Sequence, residues 1–172
     1  MLLDALRRLT ELSRSAPPDD RRALGKVQAS LATTLAAHRQ ELDEPGRRKL
    51  ERLTAQAVAA SGDAKAASEM FAKLAAAYPK DGDIQEAYGA ALLDVGDRPS
   101  LDAALAKWRE IERNSREGTP RWFRAKYHVA LAYVRLGDQR RAGELIKVTQ
   151  VLYPELGGPE LKGRFLELLK QQ

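Results

Sequence analysis

His38 and His128 are the only histidines in the chain, cysteine is absent, and neither histidine lies within helical reach of a second such group. Zinc sites and nucleophile–base pairs need several of these side chains converging on one point. The sequence therefore predicts no catalytic residue, no metal site and no cofactor. Gly157-Gly158 is a turn rather than a phosphate loop, because no GxxxxGK run accompanies it. His38 falls near the end of a helical pattern, where a histidine complements the helix dipole. The many carboxylates sit on polar helix faces, where solvation accounts for them. Arg21-Arg22, Arg47-Arg48-Lys49 and Arg140-Arg141 carry donors suited to phosphate, but no aromatic residues interleave with them as stacking on single strands requires. They read as solvated helix starts that can pair with neighbouring aspartates and glutamates.

Charge and composition narrow the class further. The net charge is +5, yet it is zoned: 11 basic and 8 acidic residues over 1–60, 8 and 11 over 61–119, 10 and 5 over 120–172. A basic–acidic–basic order is not the continuous stripe that tracking a phosphate backbone needs. Alanine dominates the 44% hydrophobic share while aromatics reach 6%, which favours closely packed helices over a sheet. Met1-Leu2-Leu3-Asp4 is interrupted by charge too early for a signal-peptide core, and no run of about 18 apolar residues occurs. A soluble, cytoplasmic chain without membrane insertion is expected.

The elements that would position any site are repeated. Gly62-Asp63, Gly96-Asp97 and Gly137-Asp138 recur, the first two 34 residues apart and the last two 41 apart. After Gly62 come Ala67, Phe71 and Tyr78-Pro79, and after Gly137, at equal offsets, Ala142, Ile146 and Tyr153-Pro154. Before each glycine stand a small residue (Ala55, Gly89, Ala130) and a larger apolar one (Val58, Leu92, Tyr133). A glycine just past a helix accepts the left-handed conformation that ends it, and the aspartate after it caps the next helix. Small residues let antiparallel helices approach, large ones such as Phe71, Trp108 and Ile146 fill the space between them, and proline stops the second helix.

Breaks are thus predicted at Gly62, Pro79, Gly96, residues 114–120, Gly137 and Pro154. In the middle unit Asp97-Arg98-Pro99-Ser100 is read as a lengthened turn, because Ala104 and Trp108 are displaced by three residues. Upstream, Leu2, Leu6, Leu9 and Leu12 form one stripe on a first helix ending near Ser15–Pro18. Asp19 and Asp20 open a second helix, with Leu24, Val27, Leu31 and Leu35 on one face, that ends before Pro45-Gly46. The Leu2–Leu12 stripe packs on the second helix or serves self-association. Gly157-Gly158-Pro159 starts a last helix with Leu161, Phe165, Leu166 and Leu169, followed by the polar tail Lys170-Gln171-Gln172. Trp108 and Trp122 are expected in packing.

Over residues 46–156 this small–aromatic–glycine–alanine–proline pattern resembles the tetratricopeptide repeat family, most clearly from Tyr127 to Pro154. The resemblance implies an all-α, right-handed superhelical solenoid of antiparallel helix pairs. It would comprise an N-terminal pair over 1–44, three units over 45–156 and a capping helix over 157–172, about eight or nine helices in all. It also implies a protein-binding scaffold rather than an enzyme, with a concave groove lined by the first helix of each unit. By helical phase that groove takes Lys49, Arg52 and Gln56, then Asp83, Glu86, Ala90 and Asp94, then Arg124, Tyr127, His128, Leu131 and Arg135. A lysine–asparagine carboxylate clamp matches poorly, since Gln56 and Ala87 stand where asparagines belong. The expected partner is a protein or peptide with an acidic group near Arg124 and His128 and an apolar side chain against Tyr127 and Leu131. Alternatively, Arg124 and Arg135 pair with carboxylates of the acidic middle unit. Two other readings are a basic nucleic-acid-binding repeat, which salt would weaken steeply, and a regulatory or assembly module of a larger enzyme.

Overall fold

The computed structural model describes residues 2–170, with the side chains of Leu2, Arg14, Pro18 and Asp19 and the residues Met1, Gln171 and Gln172 outside that description. The Leu2 end of the apolar stripe, the Asp19 side chain and the Gln171-Gln172 tail therefore lie outside the described residues. The described residues form nine α-helices: α1 (Leu2–Ser15), α2 (Pro18–Ala36), α3 (Glu44–Ser61), α4 (Ala64–Ala77), α5 (Gly82–Val95), α6 (Arg98–Arg113), α7 (Pro120–Arg135), α8 (Gln139–Leu152) and α9 (Pro159–Lys170). The breaks fall where the glycines, prolines and the 114–120 stretch place them. Gly62, Gly96 and Gly137 take φ of 101°, 78° and 83°, a region that costs a side-chain-bearing residue strain. Asp63, Asp97 and Asp138 accept hydrogen bonds from the backbone N–H of Ala66, Ser100 and Arg141 at 3.0, 2.8 and 3.0 Å, which caps α4, α6 and α8.

Two local readings need correction. The turn after Gly96 is not lengthened: α6 starts directly after Asp97, with Pro99 in its first turn, where proline lacks no needed N–H. The extra residues lengthen the helix instead, to 16 residues against 14 in α4 and α8. The second helix does end before Pro45-Gly46: α2 stops at Ala36, a short 3-10 turn spans Arg39–Glu41, and Pro45-Gly46 stands in the first turn of α3, capped by Asp43.

The second correction concerns helix phase. On α1 Leu6 is fully buried and Leu9 half-buried, but Leu12 is 61% exposed while Thr10 and Ser13 are buried. On α2 the buried positions are Gly25, Gln28, Ala32 and Leu35, and Val27 is 55% exposed. The face chosen is the one that permits close approach. A Cβ on Gly25 would lie 2.4 Å from the Ala60 carbonyl carbon, so α2 and α3 meet where Gly25 has no side chain. Of the polar groups brought inside, the Thr10 hydroxyl donates to Leu6 O at 2.8 Å and Gln28 Nε2 to Leu9 O at 2.7 Å, while Gln28 Oε1 has no hydrogen-bond partner within the protein.

The chain divides into two compact units, residues 1–84 and 85–172. In the first, α2 packs on α1 and α3, and α3 on α4, around Leu6, Ala32, Leu35, Leu50 and Leu53. In the second, α7 is central and packs on α6, α8 and α9. One core there holds Leu92, Leu93, Trp108, Val129, Tyr133 and Ala142, and another Tyr127, Ile146, Leu156, Phe165 and Leu168. Ala142 is fully buried, so Ala142→Leu overpacks the helix pair. A loss of about 1–3 kcal/mol is expected in denaturant unfolding; unchanged stability would mean that the α7–α8 contact yields.

Candidate functional site

In the second unit the phase of α7 is set by its aromatics. Thr119 and Pro120 start the helix, and Trp122, Phe123 and Tyr153 then pack edge to face with centroids 5.0, 5.3 and 5.4 Å apart. Tyr127 sits edge-on to Phe165 of α9 at 5.4 Å and is only 7% exposed. With these rings turned inward, Arg121, Arg124, His128, Leu131 and Arg135 remain along the helix beside α5 and α9.

Glu86 of α5 gathers the arginines. Its Oε1 accepts from Arg121 Nε at 2.6 Å and from Arg124 Nη2 at 3.0 Å, and its Oε2 from Arg124 Nε at 2.8 Å. The Arg124 fork is therefore bidentate. The Glu86 side chain is 15% exposed against 40% and 44% for Arg121 and Arg124. Burial pushes the Glu86 carboxyl pKa up, but the hydrogen bonds and charges of the two arginines together hold it below the ordinary glutamate value.

His128 is half-buried and stacks on Trp108, with centroids 4.0 Å apart and planes 7° from parallel. Its Nδ1 lies 2.8 Å from Arg124 O; a carbonyl only accepts, so Nδ1 carries the proton and Nε2 the lone pair. Burial lowers its pKa to about 4, helped by the Arg164 and Arg124 charges and opposed by the bond to Arg124 O and by Glu86. At neutral pH the ring is an uncharged acceptor. It cannot add positive charge toward a carboxylate.

Arg164, on α9, was not among the sequence-predicted site residues. Its guanidinium carbon stands 4.2 Å from the Tyr127 ring centroid, a cation–π distance. The residue is exposed, and no carboxylate pairs with it among the described residues. Its charge acts on His128 together with that of Arg124. Only the position of Arg164 next to Phe165, the residue that docks α9, hinted at a place beside α7.

The remaining positions have other surroundings. Arg135 Nη1 donates to Leu93 O at 2.6 Å, satisfying a carbonyl in the last turn of α5, and its charge acts on Asp94. Leu131 is half-buried between the two cores. Thus Glu86, Arg124, Tyr127, His128, Leu131 and Arg135 all lie in the second unit. Lys49, Arg52 and Gln56 lie in the first, half-buried on α3, with Lys49 Nζ 3.5 Å from Asp4. Among the described residues no three His, Asp or Glu side chains are placed to hold a metal ion, and no helix is long and apolar enough to cross a membrane.

No protein-family model matches the chain, and no curated protein matches it. Two solved structures do, both of nearly identical TPR-like repeats from a chain named as a kinesin light chain of Podosopora anserina, one of them a point variant. The variant has 17% identity, covers 99% of this chain and 88% of its own, and superposes with a TM-score of 0.71. The other has 18% identity, 98% and 93% coverage, and a TM-score of 0.67. The chain has a TPR-like helical-repeat fold.

Proposed function

We propose that this chain is a non-catalytic scaffold that holds a peptide or protein segment, and that its second unit receives an acidic group of that segment on the face formed by α5, α7 and α9. The observation that carries this reading is Arg164. An exposed guanidinium lies over a tyrosine ring with no carboxylate partner, beside two arginines already turned toward Glu86. An incoming carboxylate would find a planar donor fork at Arg164 and apolar surface at Leu131, while His128 Nε2, an uncharged acceptor, suits an N–H or O–H of the segment rather than the carboxylate. Arg124 contributes by holding Glu86 in place and by its charge. Lys49, Arg52 and Gln56 are proposed as the corresponding positions of the first unit. Phosphate backbones suit the face less well, because Glu86 stands among its arginines.

A partner isolated by affinity capture and mass spectrometry supplies the ligand for the test. Arg164→Glu is expected to raise its dissociation constant about tenfold or more, roughly 1.4 kcal/mol, with stability changed by no more than about 1 kcal/mol, the scale of one exposed cation–π contact. Arg7→Glu, on α1, is expected to leave affinity unchanged. Titration calorimetry decides: equal effects at the two sites would indicate diffuse electrostatics, and no effect at Arg164 would remove the acidic group from this face.

A further inference from the structure

The opposite side of the second unit carries a surface that the reading above does not use. Two contiguous cavities of about 560 and 400 Å³ run between α6 and α8 and share Tyr133 and Arg141 of their linings. Val129 and Tyr133 of α7, 2% and 6% exposed, form the floor. Along α8, Val148, Val151 and Leu152 are 59%, 80% and 64% exposed, and half-buried Leu145 precedes them by one turn. Positions 148, 151 and 152 have the i, i+3, i+4 spacing of a helix's contact ridge, and all three are exposed.

The charges beside this ridge are unbalanced. Each wall carboxylate already has a cation: Asp102 with Arg98 at 3.8 Å, Glu112 with Lys126 at 2.9 Å, Asp138 with Arg141 at 3.3 Å and Glu144 with Arg140 at 2.8 Å. Arg109, bonded to the Tyr133 hydroxyl, and the exposed Arg113 and Lys147 have no carboxylate partner among the described residues. Arg113 is one turn beyond Arg109 on the same face of α6, and Lys147 adjoins Val148. We infer that the α6–α8 groove docks an amphipathic helix of a partner protein, with apolar residues at i, i+3, i+4 and i+7 set against Val148, Val151 and Leu152 and acidic residues on its flanks. A second copy of this chain fits less well, since an isologous contact would bring the unpaired cations of both copies together.

The probe is a fluorescein-labelled synthetic helix of roughly 18 residues with leucine at those positions and glutamate on the flanks, titrated with the full chain at about 0.15 M salt. Two controls are a scrambled isomer and a version with lysine in place of glutamate. Saturable binding of the acidic helix is expected, weakened about tenfold or more in either control and by the joint substitution Val148→Asp and Val151→Asp. These valines are exposed, and an unchanged far-ultraviolet dichroism spectrum verifies folding. Arg164→Glu, on the other face, is expected to leave the affinity within about twofold. The inference is overturned if the acidic helix fails to saturate, if the lysine version binds as well, or if Arg164→Glu rather than the valine pair abolishes binding. It is also overturned if sedimentation shows a dimer that the valine pair dissolves, or if phosphatidylserine vesicles bind this face and the acidic helix does not compete.

Discussion

Trp108→Ala is expected to destabilise the protein by about 3–5 kcal/mol. The indole is 1% exposed; its face lies on His128 and its edge against Gly89, where a Cβ would stand 2.7 Å from Cε2. Its Nε1 makes no hydrogen bond within the protein, so the loss comes from packing and the cavity left behind. Trp108→Phe, which deletes less volume, should cost clearly less in urea unfolding. A mutant cycle gives a sharper check. Gly89→Ala forces a methyl group into the indole and is expected to destabilise the native chain, but to be tolerated once Trp108 is alanine, giving a favourable coupling of about 1 kcal/mol or more. A value of Trp108→Ala under about 1 kcal/mol, or additive effects in the cycle, would mean that α5 and α6 are not held by this contact.

Acidification is expected to remove stability through His128. Its folded pKa is lowered from 6.5 to about 4, so above pH 6.5 both folded and unfolded chains carry a neutral ring and the full stability is present. Between pH 6.5 and about 4 the unfolded chain binds the proton and the folded chain does not, so stability falls. Below about 4 both are protonated and this group adds no further loss. At about 1.4 kcal/mol per pH unit, the whole span is on the order of 3 kcal/mol. The window from pH 6.5 to 5 separates it from Glu86, whose lowered pKa places its loss at more acid pH. His128→Phe keeps a ring on Trp108 but cannot titrate. It should flatten the slope of unfolding free energy in that window, and a slope that persists in this variant would assign the proton uptake elsewhere.

Helix starts and stops, and the repetition of the pairs, were legible in the local order of residues. Gly62, Gly96 and Gly137 end helices, and Asp63, Asp97 and Asp138 start them, through bonds spanning three residues, so the chain needs no distant partner to express them. Small–large alternation at Ala55, Gly89, Trp108 and Ala142 was legible for the same reason, since it follows helix phase. What those helices face was settled by contacts between distant segments. The Leu2–Leu12 stripe of α1 matches a buried face by periodicity, but packing leaves Leu12 exposed and Thr10 and Ser13 buried. Arg124 reads equally as a groove cation or as the partner of a middle-unit carboxylate until α5 brings Glu86, 38 residues away, into its fork. His128 reads as a basic residue until Trp108 and two arginines exclude its proton. Arg164, silent in any local pattern, gained its place over Tyr127 only when Phe165 docked α9. Caps and breaks are local and additive; charge pairing, protonation and exposure depend on which distant elements meet, and that is settled by close packing.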